Sequence, residues 1–359
     1  MQEPVAPAAQ HPERPGRWVA EPGWPSPNVE ERRLWLGDGV LREEPDREDG
    51  RLEIGTDLLC GLDSGVWCGD GSVGDAAVDQ RGDDGRSLSF TSAPLPERIE
   101  LLGNARVELE LDSDRPVAQL VARLCDVSPD GSSLLVTRGV LNLTHRDSHE
   151  HPQPLEPGER TRVVLALDGI AQAIPAGHRL RLALSPAYWP WLWPAPEPVT
   201  IGVHTSQSAL VVPVRPPRGE DERLRPFGEP EGAPPLVSET VDADEGARRL
   251  TRDFATGRTE LTFDWATGGR YRLVDAGITA GCWASTTYSI LPGDPLSAEV
   301  RCRTATELGR DGWVTRAEIR AVMDADAERF RVRTELEAFE NGERVRRREW
   351  SFETRRELG

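Results

Sequence analysis

Hydrophobic and polar residues alternate with a period of two along much of the chain. The stretches 107–111, 179–184, 300–304 and 330–336 each place apolar or small residues at every second position, with Glu or Arg between them. Successive side chains of a β-strand point to opposite faces of the sheet. The pattern therefore predicts strands that bury one face and expose the other to water.

Turn signals separate these stretches at spacings typical of antiparallel sheets. They lie at Asp130-Gly131, Pro157-Gly158, Pro175-Ala176-Gly177, Gly268-Gly269 and Asn341-Gly342. Long helical periodicity is nearly absent, so the strands do not alternate with helices as they would in a doubly wound α/β fold. We predict an all-β chain built from β-sandwich or jelly-roll domains.

Proline is concentrated in two segments. Seven prolines fall within the first 30 residues and seven more between residues 213 and 235. Proline cannot donate a backbone hydrogen bond, which excludes central strands and helix interiors from such segments. We predict a proline-rich extended arm over residues 1–30, a first β domain over 31–215, a linker over 216–235 and a second β domain over 236–359.

Composition narrows the possible classes of function. The chain has 359 residues and a net charge of −18, with 61 acidic residues against 43 basic residues that are all Arg. Clustered cationic charge is what gives affinity for phosphates, so nucleic-acid binding is not expected. The absence of Lys excludes Schiff-base chemistry. No stretch approaches the roughly 20 apolar residues of a membrane helix, and membrane association is not expected. Five widely spaced cysteines and a start without the features of a secretory signal predict reduced thiols in a cytoplasmic protein.

The common catalytic motifs are absent from the sequence. There is no Gly-x-Ser-x-Gly elbow, and the nearest approach, residues 70–74, is better explained as a glycine-rich loop. A P-loop and a dinucleotide-binding fingerprint are also missing. His145, His149 and His151 have a spacing that could hold a metal, but a polar surface loop is the favoured interpretation. We predict no catalytic residue, no metal and no cofactor.

Residues 188–194 form the densest aromatic segment. In an extended conformation Trp189, Trp191 and Trp193 would share one face. Three interpretations remain open: an interface with another domain, part of the core, or a platform for a ligand. Pro190 and Pro194 restrict the segment to an edge strand or loop, which favours an interface over deep core.

Several segments together resemble the non-catalytic portion of the hydrolases that include cocaine esterase and X-Pro dipeptidyl peptidase, the CocE/NonD family. In chain order the matching segments are residues 14–21, 24–27, 79–81, 122–131, 139–146, 175–182 and 188–190. Residues 287–350 are similar to the additional β domain at the C-terminus of the longer members.

The resemblance implies a fold, an activity and a partner. The fold is a jelly-roll (galactose-binding-like) β-sandwich, which in the family follows an α/β-hydrolase domain that carries the Ser, Asp and His of the triad. The activity is hydrolysis of esters or Xaa-Pro peptides, with the β-sandwich walling the substrate pocket. No triad residue can be assigned here. We therefore expect a truncated or split product that is inactive alone and whose partner is a catalytic domain, in cis or in trans.

The resemblance also suggests site residues and leaves alternatives open. Residues 58–74 are similar in position to a loop that approaches the active site, whereas Asp79-Gln80-Arg81 is expected to be a structural polar cluster. The candidates for a substrate-pocket or domain-interface role are Leu58, Leu59, Cys60, Trp189, Trp191 and Trp193. Loss of a domain partner would also favour self-association. One alternative is a free-standing jelly-roll module that binds carbohydrate, and another is a metal-dependent enzyme that uses the His145 cluster.

Overall fold

The computed structural model describes residues 1–69, 71–229, 231–265 and 267–359. Two compact units are present. The first comprises Met1–Gly69, Ala76–Pro226 and Leu358–Gly359, and the second comprises Asp70–Asp75 and Phe227–Glu357. Asp70 of the glycine-rich loop and Pro230 of the predicted linker lie outside the described residues.

The first unit contains ten strands, one four-residue helix and two short 3-10 turns. The strands are β1 (Glu30–Leu36), β2 (Val40–Arg42), β3 (Arg51–Gly55), β4 (Leu88–Ser92), β5 (Ile99–Ser113), β6 (Gln119–Val127), β7 (Ser133–Asn142), β8 (Thr161–Ile174), β9 (Arg179–Ser185) and β10 (Thr200–Val214). Helix α1 is Arg81–Asp84, and the 3-10 turns are Leu143–His145 and Asp221–Arg223.

These ten strands form one continuous sheet that folds over on itself. Its order is β7-β6-β9-β4-β2-β1-β10-β5-β8, with β3 paired to β10. Neighbouring strands are antiparallel except β2 and β4, whose short parallel pairing joins the two layers. Apolar residues of β4, β6 and β9 share one buried cluster with those of β1, β5, β8 and β10. The first unit is therefore a β-sandwich whose two layers share one main core.

The arm of residues 1–30 lies against strands β5 and β8 of the first unit. The backbone N–H of Gln2 donates to Ala171 O at 2.7 Å, and that of Ala173 donates to Gln2 O at 2.9 Å. The Arg17 guanidinium holds Glu100 through two hydrogen bonds of 2.8 and 2.9 Å. The proline-rich segment is thus fixed in place as an additional layer of backbone on the sandwich.

The described residues of the second unit form nine antiparallel strands. They are β11 (Ser238–Asp242), β12 (Ala247–Arg252), β13 (Thr259–Trp265), β14 (Arg270–Leu273), β15 (Ile278–Leu291), β16 (Asp294–Arg310), β17 (Trp313–Ala325), β18 (Arg329–Glu340) and β19 (Glu343–Arg355). The order is β11-β14-β15-β16-β17-β18-β19, and β13 pairs with both β12 and β15. The expected all-β chain, a β-sandwich followed by a second antiparallel β domain, is confirmed.

Tight hairpins connect the long strands of the second unit. Asn341 and Gly342, both with positive φ, form the predicted turn between β18 and β19. Asp311 and Gly312 form the equivalent turn between β16 and β17. Asn or Asp followed by Gly suits this backbone because both turn positions require positive φ. Within the described residues, no helix has the length and apolar character needed to cross a membrane.

Candidate functional site

The first unit brings together two segments that are about 130 residues apart in sequence, the loop over residues 57–69 and the turn over residues 188–193. The indole Nε1 of Trp191 donates to Gly65 O at 3.0 Å, and the Arg138 guanidinium donates to Ser64 O at 2.9 Å. Gly61 has φ +105°, and a Cβ atom there would lie 2.6 Å from Trp189 O. Glycine is therefore required where the loop meets the turn.

An aromatic cluster covers this junction. The Trp67 side chain is 72% exposed and contacts Trp191 edge to face at 5.2 Å between ring centroids. The Arg138 guanidinium lies 3.5 Å from the centroid of the Trp191 ring. Burial of the Arg138 guanidinium lowers its pKa, chiefly because the charged group loses its hydration. We call Trp67, Trp191 and Arg138 the aromatic platform: an exposed indole on a half-buried indole that a cation holds in place.

The sequence-predicted site residues all belong to these two segments, but few of them face solvent. Leu58, Cys60 and Trp189 are buried. Leu59, Trp191 and Trp193 are half-buried. Burial raises the pKa of the Cys60 thiol to about 11, which makes it a poor nucleophile.

The expectation that Trp189, Trp191 and Trp193 share one face of an extended segment is wrong. Residues 189–191 form a turn, closed by a 2.9 Å hydrogen bond from Leu192 N to Tyr188 O. Trp189 enters the interior and packs edge to face on Trp193 at 5.5 Å, whereas Trp191 packs on the loop. Pro190 fixes its own φ and offers no N–H to a neighbouring strand, so a turn competes well with a strand here.

A buried polar cluster lies beneath the junction and includes Gln80 of the Asp79-Gln80-Arg81 triplet. The fully buried Arg123 donates to Gln80 Oε1 at 2.9 Å and pairs with Asp84 at 3.1 Å. Asp84 also accepts from Ser133 at 2.8 Å and from Arg181 at 3.0 Å. Of the triplet, Gln80 belongs to this buried cluster, whereas Arg81 is exposed and pairs with Asp79 at 2.7 Å.

Asp83 connects this cluster to the loop. Its carboxylate accepts backbone hydrogen bonds from Gly61 and Asp63, while one of its oxygens has no hydrogen-bond partner among the described residues. Burial raises the pKa of Asp83 to about 6, and the charge of Arg123 opposes this shift. A titratable group thus holds the loop that carries Trp67.

Two carboxylate–imidazole pairs lie elsewhere in the first unit. His178 Nδ1 is 2.7 Å from Asp126 Oδ1, and His204 Nε2 is 2.8 Å from Asp112 Oδ2. The other ring nitrogen of His204 faces Asp49 at 3.5 Å. In the part of the chain that the structure describes, neither imidazole is hydrogen-bonded to a serine hydroxyl, so neither forms a Ser-His-Asp triad.

The other sequence motifs lie apart from the platform. His145 and His149 approach each other at 3.4 Å between their Nδ1 atoms, on an exposed loop. Across residues 1–69, 71–229, 231–265 and 267–359, no group of three or more His, Cys, Asp or Glu side chains is arranged to hold a metal. Gly71 and Gly74 have positive φ, in keeping with a glycine-rich loop.

The sequence analysis missed Trp67 and Arg138. Trp67 lies inside the glycine-rich stretch 58–74 that had been singled out, and a lone aromatic residue among glycines was the available signal. No pattern in the sequence distinguishes Arg138 from the other arginines, of which there are 43 in all.

The second unit carries a separate open groove of about 590 Å³. Trp283 lines it beneath the Arg316 guanidinium, which lies 5.6 Å from the ring. Asp244, Asp264 and Glu318 add negative charge to the same groove. Its lining is a mixture of both charge signs and offers no defined subsite.

The fold and the site together define a β-sandwich with an exposed aromatic platform. Residues 1–220 match the family profile of the X-Pro dipeptidyl-peptidase C-terminal non-catalytic domain. The chain belongs to this family, in agreement with the resemblance found in the sequence, and the part of the second unit from Phe227 onward lies beyond the matched residues.

Curated relatives agree with this assignment. A Mycobacterium bovis protein named as a serine esterase is 28% identical over 192 residues, which is 48% of this chain and 31% of the relative. Cocaine esterase from a Rhodococcus species is 24% identical over 103 residues, which is 29% of this chain and 18% of that protein. The match thus spans about a third or less of the relatives' length.

Among solved structures, the chain is similar to an aminopeptidase from a marine-sediment Thaumarchaeota archaeon. The TM-score is 0.49 and the identity 17%, covering 56% of this chain and 39% of the aminopeptidase.

Proposed function

We propose that the first unit is the non-catalytic β-sandwich of an ester or Xaa-Pro peptide hydrolase, and that it walls one side of the substrate pocket of an α/β-hydrolase catalytic domain. In this proposal the sandwich is a jelly roll that packs beside the catalytic domain, as in its family. The catalytic domain belongs to the same chain or to a separate one. The observation that carries the proposal is the exposed Trp67 on a loop that is anchored to the β-sandwich core.

The anchoring supports a contact role rather than a mobile loop. Trp191 and Arg138 each donate a hydrogen bond to a loop carbonyl, and Asp83 accepts two loop N–H groups. Because the loop is held in this way, the segment that carries Trp67 loses little conformational entropy when it binds a partner. Tryptophan and arginine are also the residue types most enriched at energetically important interface positions.

The chemistry of the platform fits a pocket wall. The indole of Trp67 presents an apolar ring that can pack against an acyl chain or a proline ring. The described part of the first unit contains no assembled triad, so the reacting groups of such an enzyme belong to the partner. Trp67 would then influence which substrates bind rather than the chemical step.

The test is binding of an α/β-hydrolase catalytic domain from the same organism, expressed as a separate chain. We expect saturable binding that Trp67→Ala weakens by about tenfold or more, as for a hot-spot residue. Trp313→Ala is the matched control, because it removes another exposed indole in the second unit. Absence of binding by the wild-type chain, or equal effects of the two variants, would contradict the proposal.

Carbohydrate binding is the second candidate, because an exposed indole can also stack on a sugar ring. A glycan screen with the wild-type chain and the Trp67→Ala variant separates the two functions. Glycan binding that requires Trp67, without binding of a catalytic domain, would favour the carbohydrate-binding module.

A further inference from the structure

The sheet of the second unit has an apolar face and a charged face. The register places Trp350, Thr334, Ala321 and Cys302 in one row across β19, β18, β17 and β16. Residues two positions away along each strand lie on the same face, and they include Ile319 and Phe352. This face consists of small, aliphatic, threonine and aromatic side chains, with only the edge strand contributing arginines.

Ion pairs cover the opposite face of the same strands. Arg320 lies 3.6 Å from both Glu318 and Glu335, and Arg347 pairs with Glu335 and Glu349 at 2.6 Å. Charged side chains that satisfy one another in this way suit contact with water. The charged face is therefore the solvent face, and the apolar face is the one that needs a cover.

The apolar face is open on β19 and partly open over β16, β17 and β18. Ile319 is 37% exposed, Trp350 48% and Phe352 62%. Among the described residues of the second unit, few apolar side chains are buried, and they include Leu261, Phe263, Ile290, Ala298 and Ala325. A sheet with one apolar face is stable when another layer covers that face. A contiguous exposed patch of this kind marks an interaction surface.

We propose that this face binds a second copy of the chain, sheet against sheet, about a two-fold axis that runs along the strands. At the β19 edge the large side chains of Trp350 and Phe352 project from the face. In the Trp350 row, β16 and β17 carry the small side chains of Cys302 and Ala321. A rotation about such an axis places the large side chains of β19 in each copy opposite the small side chains of β16 and β17 in the other. The surface is thus complementary to itself, as an isologous interface requires.

The area of the face is that of a stable dimer interface. Strands β17 and β18 are paired over eleven residues, from Thr315 to Ala325 on β17. At about 3.4 Å per residue and about 4.8 Å between strands, β16 to β19 offer roughly 700 Å² of face. Standard interfaces bury about 800 Å² per partner, so one layer of this size is sufficient for a specific dimer.

The test is the oligomeric state of the full chain by sedimentation velocity at micromolar concentrations, with two matched variants. Phe352→Arg places a charge on the apolar face, and Ser351→Arg places the same charge on the opposite face of the same strand. We expect the wild-type chain and Ser351→Arg to be dimeric, and Phe352→Arg to weaken dimerisation by at least about tenfold. Far-UV circular dichroism establishes that each variant is folded.

A second measurement requires no variant. Hydroxyl-radical labelling of Trp350 in the wild-type chain should fall as concentration rises through the dimer transition, whereas labelling of Trp283, on the charged face, should not change. A monomeric wild-type chain, a dimer that Phe352→Arg leaves intact, or equal loss in both variants would overturn the proposal. Protection of Trp350 only when a separate hydrolase domain is added would also overturn it.

Discussion

The replacement Gly61→Ala tests whether the loop is locked to the aromatic turn by close backbone contact. Gly61 has φ +105°, and an added Cβ would lie 2.6 Å from Trp189 O and 2.8 Å from Tyr188 C. Both contacts are to backbone atoms, which cannot rotate away as a side chain would. The loop and the turn must therefore separate to accommodate the methyl group.

Two energetic effects contribute to the cost. Placing an L-residue in a positive-φ conformation costs roughly 1–2 kcal/mol. The steric contact adds to this because the turn is part of the packed interior, where overpacking costs roughly 1–3 kcal/mol. We expect Gly61→Ala to destabilise the first unit by about 2–5 kcal/mol in total.

Gly131→Ala is the matched control. Gly131 has φ +88° in the hairpin between β6 and β7, and an added Cβ there would have no heavy atom within 4 Å. It reports the conformational cost alone, so its destabilisation should be about 1–2 kcal/mol. Urea unfolding of both variants, followed by near-UV circular dichroism, gives the difference. Equal destabilisation by the two replacements would refute the locked junction.

Three further predictions concern the groups beneath the platform. Arg123→Met should destabilise the first unit by about 3–5 kcal/mol in urea unfolding, because it removes the buried guanidinium that pairs with Asp84 and donates to Gln80 and leaves Arg181 as the remaining cation beside Asp84; a cost below about 1 kcal/mol would contradict the buried cluster. The raised pKa of Asp83, about 6, means that the folded state binds a proton more tightly than the unfolded state. Stability due to this group is therefore greatest below the unfolded pKa near 4 and falls by about 2–3 kcal/mol as pH rises to 6. The Asp83→Asn variant should not show this loss of stability. If the wild-type chain and the variant lose stability in parallel as pH rises, the raised pKa of Asp83 is excluded as the cause. In the native chain, thiol reagents should modify the exposed Cys68 much faster than Cys60, whose pKa burial raises to about 11; peptide mapping that finds Cys60 modified first would show that the loop opens.

The all-β class followed from the sequence because side-chain alternation depends only on local geometry. The stretches 107–111 and 330–336 lie within strands β5 and β18, and Asn341-Gly342 forms the hairpin that its residue types predict. In β5 the alternating residues are buried, whereas in β18 they are half-exposed. Alternation therefore identifies a strand and its apolar face, but it does not show whether another layer covers that face.

The site could be predicted only in part because its contacts are between residues distant in sequence. The loop near Leu58 and the turn near Trp191 were both singled out, but their docking depends on Gly61, whose positive φ is a property of the fold. The sequence left an interface, the core and a ligand platform open for Trp189, with an interface favoured, and Trp189 lies in the core. Proline spacing alone does not distinguish a turn from an edge strand. Arg138 is 50 residues from the turn and could not be connected to it by any local pattern.

The most direct test of the central proposal, that Trp67 forms part of a hydrolase pocket wall, is the kinetics of a catalytic domain from the same organism joined ahead of residue 1. The substrates are a series of esters that differ only in the size of the acyl group, with wild-type and Trp67→Ala chains compared. The account predicts that Trp67→Ala raises KM progressively with acyl size and leaves kcat for the smallest ester unchanged. Identical KM values for the two proteins across the whole series would contradict it.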